Sequence, residues 1–130
     1  MCICIHVYFT CYLEATTQSE FIQMNKELAI DSALSVLNDP LFKALQEPAR
    51  LAVIRQLLIL GKADISQIAE DLPQERSVIS RHLQVLLDAG ILRVERAGRH
   101  RIYEINGLEI IHKFEAILKE LKLIMPYCCN

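Results

Sequence analysis

Four polar side chains between positions 77 and 84 are spaced so that they would share one face of a helix. They are Ser77, Ser80, Arg81 and Gln84. With about 3.6 residues per turn, this spacing places two hydroxyls, a guanidinium and a carboxamide on one stripe. Arg and Gln side chains hydrogen-bond to base edges in the major groove of DNA, and small residues let the helix backbone approach closely. The alternative interpretation is an ordinary amphipathic helix with a solvated polar face.

The side of this segment opposite the polar residues is apolar and must position them. Its predicted buried stripe consists of Ile79, Leu83, Leu86 and Leu87. Gly90 predicts the end of the helix. A tight connection at 73–75 joins it to a preceding short helix, for which Asp64 and Gln67 form an N-terminal capping box. Two short helices joined in this way predict a helix-turn-helix.

After Gly90 the period of the apolar residues changes from helical to alternating, which predicts a β-hairpin with its turn at 97–99. The tip of the hairpin contains no acidic residue, and its basic residues are Arg96, Arg99, His100 and Arg101. Such a tip suits contact with DNA phosphates or the minor groove. A solvated tip is the simpler alternative.

Upstream of these elements the sequence predicts three further helices. The first covers residues 24–37, and Asp39 and Pro40 then begin a short second helix as its N-cap and first residue. Pro48 opens the third, which ends at Gly61. The residues of this third helix expected to point into the core are Leu51, Ile54 and Leu58.

The chain closes with a long predicted helix from Gly107 to Met125 that is apolar over a wide stripe. Together with the helix at 24–37, it would leave apolar area exposed on a monomer, which favours a two-fold homodimer over packing within one chain. The expected interface residues are Ile30, Leu34, Leu37, Ile110, Phe114, Ile117, Leu121 and Ile124. A two-fold dimer would place two recognition helices on one face of DNA and predicts an inverted-repeat operator.

Composition agrees with a DNA-binding face on an acidic body. The chain has 130 residues, 52% of them hydrophobic, and a net charge of −2. Residues 76–103 nevertheless hold six arginines and two acidic residues, so the basic charge is concentrated there. No apolar run approaches the roughly 20 residues of a membrane span, and no signal-peptide pattern is present. We therefore expect a cytoplasmic protein, in which five cysteines do not form a disulfide framework.

The predicted fold class is mainly α with a small β-hairpin, arranged as a winged helix-turn-helix. The predicted domain at 24–125 carries both DNA binding and dimerisation, and it is followed by a cysteine-bearing tail at 126–130. Residues 1–23 match no periodicity. They are an ordered arm bearing thiols, a terminus without fixed structure, or residues ahead of the natural start, and the sequence does not choose among these.

Five segments occur in the order and spacing of a known family: LQEPARL at 45–51, ISQIAEDL at 65–72, VISRHL at 78–83, AGIL at 89–92 and GRHRIY at 98–103. Together they resemble the ArsR family of bacterial winged helix-turn-helix repressors over about residues 42–106. The resemblance implies a homodimeric repressor that leaves its operator when an effector binds or when thiols oxidise. The DNA-reading positions that it implies are Gln74, Arg76, Ser77, Ser80, Arg81 and Gln84, with Arg99 and Arg101 on the wing.

Departures from the family pattern limit which effector could release the protein from DNA. Metalloid-sensing members carry a Cys-x-Cys pair where this sequence has Asp64 and Ser66, so a soft thiolate site is absent there. Zinc-sensing members place Asp and His ligands on the final helix, and the matching positions here lack imidazoles. These positions are Gly107, Glu109, Glu120 and Leu123. The sequence therefore identifies no particular metal or cofactor at these positions, and the resemblance is compatible with a small effector.

The five thiols leave three interpretations open. The cysteines are Cys2, Cys4, Cys11, Cys128 and Cys129. Thiolates are soft ligands and oxidisable groups, so a sensing site between the two ends of the chain is one hypothesis. Free thiols without a regulatory role are the second interpretation. The third is a thiol-bound metal or metalloid that is held without a regulatory effect.

The sequence as a whole predicts a sequence-specific transcriptional regulator that binds double-stranded DNA. The alternative is a winged-helix module that binds protein, but such a surface would need apolar anchors that Ser77, Ser80 and Gln84 do not provide. We do not expect an enzyme, because the sequence shows no paired carboxylates in a glycine-bounded cleft, no phosphate loop and no credible Cys-His or Ser-His set.

Overall fold

The computed structural model describes the backbone of residues 19–128 and the side chains of residues 25–128. Within this range the elements follow in the order α1 (Ser19–Leu37), α2 (Pro40–Leu45), α3 (Pro48–Leu60), β1 (Lys62–Ala63), α4 (Ile65–Ala69), α5 (Arg76–Asp88), β2 (Leu92–Ala97), β3 (His100–Ile105) and α6 (Gly107–Cys128). None of the helices in this range has the length and apolarity that crossing a bilayer requires. Two units are distinguished, one formed by residues 37–115 and one by the described parts of 1–36 and 116–130.

Local signals predict most of the helix boundaries. Asp39 caps α2, since its carboxylate accepts a hydrogen bond from the Leu41 backbone N–H at 2.8 Å. Pro48 is the first residue of α3, and Gly61 ends that helix with a φ of 75°. The differences lie at the two ends, where α1 begins before the predicted residue 24 and α6 continues beyond residue 125 to Cys128. Residues 19–23 contain no Gly or Pro that would stop a helix.

The structure corrects the predicted orientation of α3. Leu51 and Leu58 were expected to point inward, but they are 46% and 66% exposed, and Ile54 is half-buried. The residues that α3 buries instead are Val53, Gln56 and Leu57. The helix is apolar around most of its circumference, so periodicity alone does not select the buried side. Packing against α5 and β3 does so.

The core of the 37–115 unit is formed where α2, α3, α4 and α5 pack together. Its largest fully buried side chains are Leu41, Val53, Leu57, Ile68, Ile79, Leu83, Leu86 and Ile91. Burial of each such side chain contributes about 1.5–3 kcal/mol. Three residues of the predicted stripe of α5, Ile79, Leu83 and Leu86, are thus part of this core and hold the helix in one orientation, whereas Leu87 is only half-buried.

The predicted hairpin is present and belongs to a three-stranded antiparallel sheet with the order β1-β3-β2. Strand β1 was not predicted, because two residues are too few to show an alternating pattern. In the hairpin Ala97 pairs with His100, which leaves Gly98 and Arg99 as a two-residue turn. Only Gly98 of these two has a positive φ, 63°, as in a type II′ turn, whose twist matches that of the flanking strands.

In the unit formed by the terminal helices, a hydrogen bond joins Ser32 Oγ to Glu120 Oε2 at 2.5 Å. Ala33 and Ile117 are buried. Ile117 was expected at a dimer interface, but it is only 6% exposed and is covered within its own chain. The exposed apolar residues in this unit are Leu28, Ile30, Leu34, Leu118, Leu123 and Met125. Within this unit the exposed apolar residues of α6 therefore flank the stripe through Ile117, while Phe114 of that stripe, in the other unit, is exposed.

Candidate nucleic-acid interface

Helix α5 presents its polar face to solvent. The exposed residues of this face are Arg76, Ser77, Ser80, Arg81 and Gln84. Behind them Ile79, Leu83 and Leu86 are fully buried, so the face cannot rotate inward without opening the core. Neither Arg76 nor Arg81 forms an ion pair with another side chain of residues 25–128. Both guanidiniums are therefore available to an anionic or hydrogen-bonding partner.

Gln84 is oriented by the last turn of its own helix. Its Nε2 donates a hydrogen bond to Asp88 Oδ1 at 2.8 Å. Because an ionised carboxylate only accepts hydrogen bonds, the amide nitrogen must face Asp88 and the carbonyl oxygen must face away. Gln84 thus offers an acceptor to a base edge that carries a donor.

Gln74 differs from the other residues predicted to read DNA. It lies in the connection between α4 and α5, it is half-buried, and its Oε1 is buried without a hydrogen-bond partner within the described part of the chain. The carbonyl oxygen of Gln74 is therefore not part of the exposed surface. Nearby, Gln56 Nε2 donates to Asp71 Oδ2 at 2.8 Å and ties α3 to this connection.

His100 links the tip of the wing to the first helix of the helix-turn-helix. Its Nδ1 lies 3.2 Å from Asp64 Oδ2. The other oxygen of Asp64 accepts hydrogen bonds from the backbone N–H groups of Ser66 and Gln67, which completes the predicted capping box of α4. The bond from Gln67, followed by that from Ser66 and by the charge of the nearby imidazole, holds the pKa of Asp64 below its usual value. His100 was predicted to contact DNA and also has this partner within the chain.

An ion-pair network that the sequence analysis did not identify covers one face of the sheet. Glu104 on β3 is almost fully buried and lies between Arg93 on β2 and Lys62 on β1, at 2.6 and 3.2 Å. The hydrogen bond from Arg93, and then that from Lys62, lowers the pKa of Glu104. The same contact with Glu104 raises the pKa of Arg93. Arg93 is therefore neutralised, although its charge counts toward the basic segment of the sequence.

The remaining basic residues of the wing are exposed. Arg96, Arg99 and Arg101 all face solvent, and the Arg101 guanidinium lies over the Tyr103 ring at 5.5 Å from its centroid. Arg99 and Arg101 were predicted to contact DNA, whereas Arg96 was assigned only to the basic tip. A two-residue turn at 98–99 would have predicted that Arg96 lies beside Arg101, because it makes the two residues direct cross-strand neighbours.

The predicted interface residues differ in exposure. Ile30, Leu34, Leu37 and Phe114 are exposed. Half-buried positions are Ile110, Leu121 and Ile124. With Ile117 buried, half of the predicted set is thus open to a partner.

Among the described residues, neither the thiols nor the family's metal positions form a cluster of metal ligands. Cys2, Cys4, Cys11 and Cys129 lie outside the described residues, while Cys128 is a free, exposed thiol. Among the side chains of residues 25–128, no three His, Cys, Asp or Glu residues are grouped closely enough to hold a metal ion. Asp64, which occupies a position of the Cys-x-Cys pair, is engaged as a helix cap.

Known proteins share this arrangement. Residues 47–94 match the family model described as bacterial regulatory protein, arsR family. The arsenical resistance operon repressor of Bacillus subtilis is 33% identical over 69 residues, which cover 53% of this chain and 66% of the repressor. The chain thus spans about two thirds of that relative's length.

Solved structures extend the likeness to three dimensions. A crystal structure of an ArsR family transcriptional regulator has a TM-score of 0.54 and 31% identity, over 68% of this chain and 88% of that one. A homodimeric winged helix-turn-helix DNA-binding domain from Mycobacterium bovis, at 18% identity and a TM-score of 0.50, covers 87% of this chain and 94% of that one and shares the fold. The predicted winged helix-turn-helix class is therefore confirmed. So is the expectation that the chain is not an enzyme, because the related proteins are transcriptional regulators. The chain belongs to the arsR family of bacterial regulatory proteins.

Proposed function

We propose that this regulator is a cytoplasmic homodimeric repressor that binds an inverted-repeat DNA operator. The observation that carries the proposal is the outward face of α5, with two exposed guanidiniums, two hydroxyls and an oriented carboxamide on a helix whose opposite side is buried in the core. Arg and Gln on such a face discriminate bases, and Ser hydroxyls allow close approach. Repressor activity is proposed by analogy with the Bacillus subtilis relative, whose name describes it as an operon repressor.

The homodimer is supported by apolar surface on the terminal helices. Leu34 on α1 and Leu118 on α6 are 59% and 54% exposed in the single chain. Several exposed leucines of this kind on two helices are unusual for a monomer and are typical of an interface. A two-fold dimer would present two copies of α5 to successive major grooves, about one helical turn apart, and would select an inverted repeat.

The effector that releases the operator is proposed to act elsewhere than at the family's Cys-x-Cys positions. Asp64 uses both carboxylate oxygens in contacts within the chain, and Ser66 carries no thiol. A thiol-based site that includes Cys128 remains our hypothesis for the signal.

The division of labour between α5 and the wing gives a direct test of DNA binding. Arg81→Ala is expected to cost about 1–3 kcal/mol on the operator and to relax sequence preference, because Arg81 would contact a base edge. Arg99→Ala is expected to weaken binding evenly across sequences and to reduce the salt slope by about 1, because Arg99 would contact a phosphate. Mobility shifts on the operator and on a scrambled duplex at several salt concentrations separate the two effects.

Two outcomes would contradict the proposal. Equal losses for both variants on both duplexes would remove the assignment of α5 as the base-reading element. Absence of salt-dependent DNA binding by the unsubstituted protein would remove the DNA-binding function itself and would favour a protein-binding winged helix.

A further inference from the structure

We propose that Arg96 and Arg101 form a two-arginine clasp that binds one phosphodiester group of DNA, and that the opposite face of the hairpin at Arg93 does not contact the DNA backbone. This inference rests on the proposed function, which it deepens by naming the ligand group and the residues. Its basis is a contrast between the two faces of the hairpin.

The first observation is the register of the hairpin. Arg96 on β2 lies directly opposite Arg101 on β3. Side chains at directly opposed positions have Cβ atoms about 4.5–5.5 Å apart on the same face of the sheet. Like charges at such positions repel each other and are unfavourable in the free protein. An anion bound between them would remove this repulsion and accept hydrogen bonds from both guanidiniums.

The second observation is that no carboxylate of the described side chains neutralises this pair. Among residues 25–128, neither Arg96 nor Arg101 has an acidic side chain within ion-pair distance. On the other face of the same strands, Arg93 is paired with Glu104, which also binds Lys62. One face of the hairpin is thus internally compensated, while the other carries two positive charges that no side chain of residues 25–128 compensates.

The third observation concerns the shape of the tip. An open concavity of about 410 Å³ is lined by Arg96, Gly98, Arg99, His100 and Arg101, a set without a carboxylate. The Arg101 guanidinium is placed over the buried ring of Tyr103, 5.5 Å from its centroid. Stacking on an aromatic face restricts the side chain and leaves its N–H groups at the edge free to donate. A phosphodiester, whose single negative charge is shared by two non-bridging oxygens, can accept hydrogen bonds from both guanidiniums.

The test is a double-mutant cycle on DNA binding with a matched control. The variants are Arg96→Gln, Arg101→Gln, their combination, and Arg93→Gln as the control. The control removes the same charge from the same strand as Arg96→Gln but on the compensated face. Affinities are measured on one operator duplex at fixed salt, and thermal unfolding of each variant verifies that it is folded.

Arg96→Gln and Arg101→Gln are each expected to weaken binding by roughly five- to tenfold, as expected for loss of a charge-assisted hydrogen bond at an exposed site. The double variant is expected to lose less than the product of the two, because both residues share one phosphate. Arg93→Gln is expected to keep a DNA affinity within about twofold of the unsubstituted protein, since Arg93 would act on DNA only through long-range charge. Equal losses for Arg93→Gln and Arg96→Gln, or strict multiplicativity of Arg96→Gln and Arg101→Gln, would overturn the clasp.

A second measurement keeps the clasp testable if the proposed function fails. Inorganic phosphate is titrated into the protein, and the amide signal of Gly98 and the side-chain signals of the arginines are followed by NMR. Shifts in the unsubstituted protein that disappear in Arg96→Gln but persist in Arg93→Gln would support an oxyanion site without DNA. No shift at the wing, together with no DNA binding, would reject both the clasp and the proposed function.

Discussion

Glu104 joins the three strands of the sheet through its carboxylate. It is 8% exposed, and its two oxygens contact Arg93 and Lys62 from the neighbouring strands. An ionised group with so little contact with water must be compensated by partners. The ion pairs on one face of the hairpin thus connect the three strands, while Arg96 and Arg101 on the other face are exposed.

Replacing this carboxylate gives a prediction with a defined pH dependence. Glu104→Gln is expected to lower the free energy of unfolding at neutral pH, because the ion pairs with Arg93 and Lys62 are lost. The pKa of Glu104 is lowered in the folded protein, so its stabilisation is present above the usual glutamate pKa and disappears as the pH falls through that range to the lower folded-state value. Denaturant unfolding at a series of pH values should therefore show the difference between variant and parent shrinking in acid.

Glu95→Gln is the control for this prediction. Glu95 approaches the same Lys62, but at 3.9 Å with both side chains exposed, so its removal is expected to change stability little. A Glu104→Gln deficit that stays constant down to strongly acidic pH, or one no larger than that of Glu95→Gln, would show that the ion pairs are not its cause.

Among the elements, α5 depends on its C-terminal end for its connection to the wing. Gly90 has a φ of 74°, its N–H bonds to Leu87 O at 2.9 Å, and the N–H of Ile91 bonds to Leu86 O at 2.9 Å. This is the pair of hydrogen bonds of a Schellman motif, which stops the helix and turns the chain toward β2. The left-handed conformation at Gly90 therefore sets the angle between the two predicted DNA-contacting elements.

Substitutions at Gly90 separate backbone strain from crowding. Gly90→Ala is expected to destabilise the fold by about 1–2 kcal/mol, because an L residue is strained at positive φ. A Cβ there would also lie 3.2 Å from Lys113 Cε and 3.3 Å from Glu109 Cγ. Gly90→Asn carries the same Cβ but tolerates this conformation better, so it is expected to cost less. Thermal and denaturant unfolding measure both variants, and a larger loss for Asn than for Ala would indicate that crowding dominates.

At the scale of the whole molecule, dimerisation is proposed to decide whether two α5 helices can bind together. Leu118→Glu is expected to shift the protein from dimer to monomer, since burying each leucine contributes about 1.5–3 kcal/mol and a two-fold interface contains two copies. Leu118 is exposed in the single chain, whereas its neighbour Ile117 is buried, so the substitution should leave the fold of each chain intact. Sedimentation equilibrium gives the dissociation constant.

Lys119→Glu is the matched control, because it changes the charge at the adjacent exposed position without removing apolar area. It is expected to remain dimeric. An unchanged mass for Leu118→Glu would exclude this face of α6 from the interface. A monomeric parent protein at micromolar concentration would reject the homodimer and the inverted-repeat operator with it.

Elements with strong local signals could be predicted from the sequence. The stripe of α5, the cap and box residues Asp39 and Asp64, and the turn at Gly98 are present as expected. Each of these signals arises within a few residues, where periodicity, a capping side chain or a glycine at positive φ determines the conformation. The outward face of α5 follows from the same stripe, since burying one side exposes the other.

What only the tertiary structure decided depends on contacts between segments distant in the chain. The sequence alone determined that α3 is a helix but not its buried side, because it is apolar around most of its circumference. Pairing of β1 with β3 brings Lys62 to Glu104 and Asp64 close to His100, and the two partners of each pair are separated by about 40 residues in the chain. Packing of the terminal helices likewise buries Ile117. Such contacts leave no periodic trace in the sequence, because their energy depends on which surfaces meet after the local elements have formed.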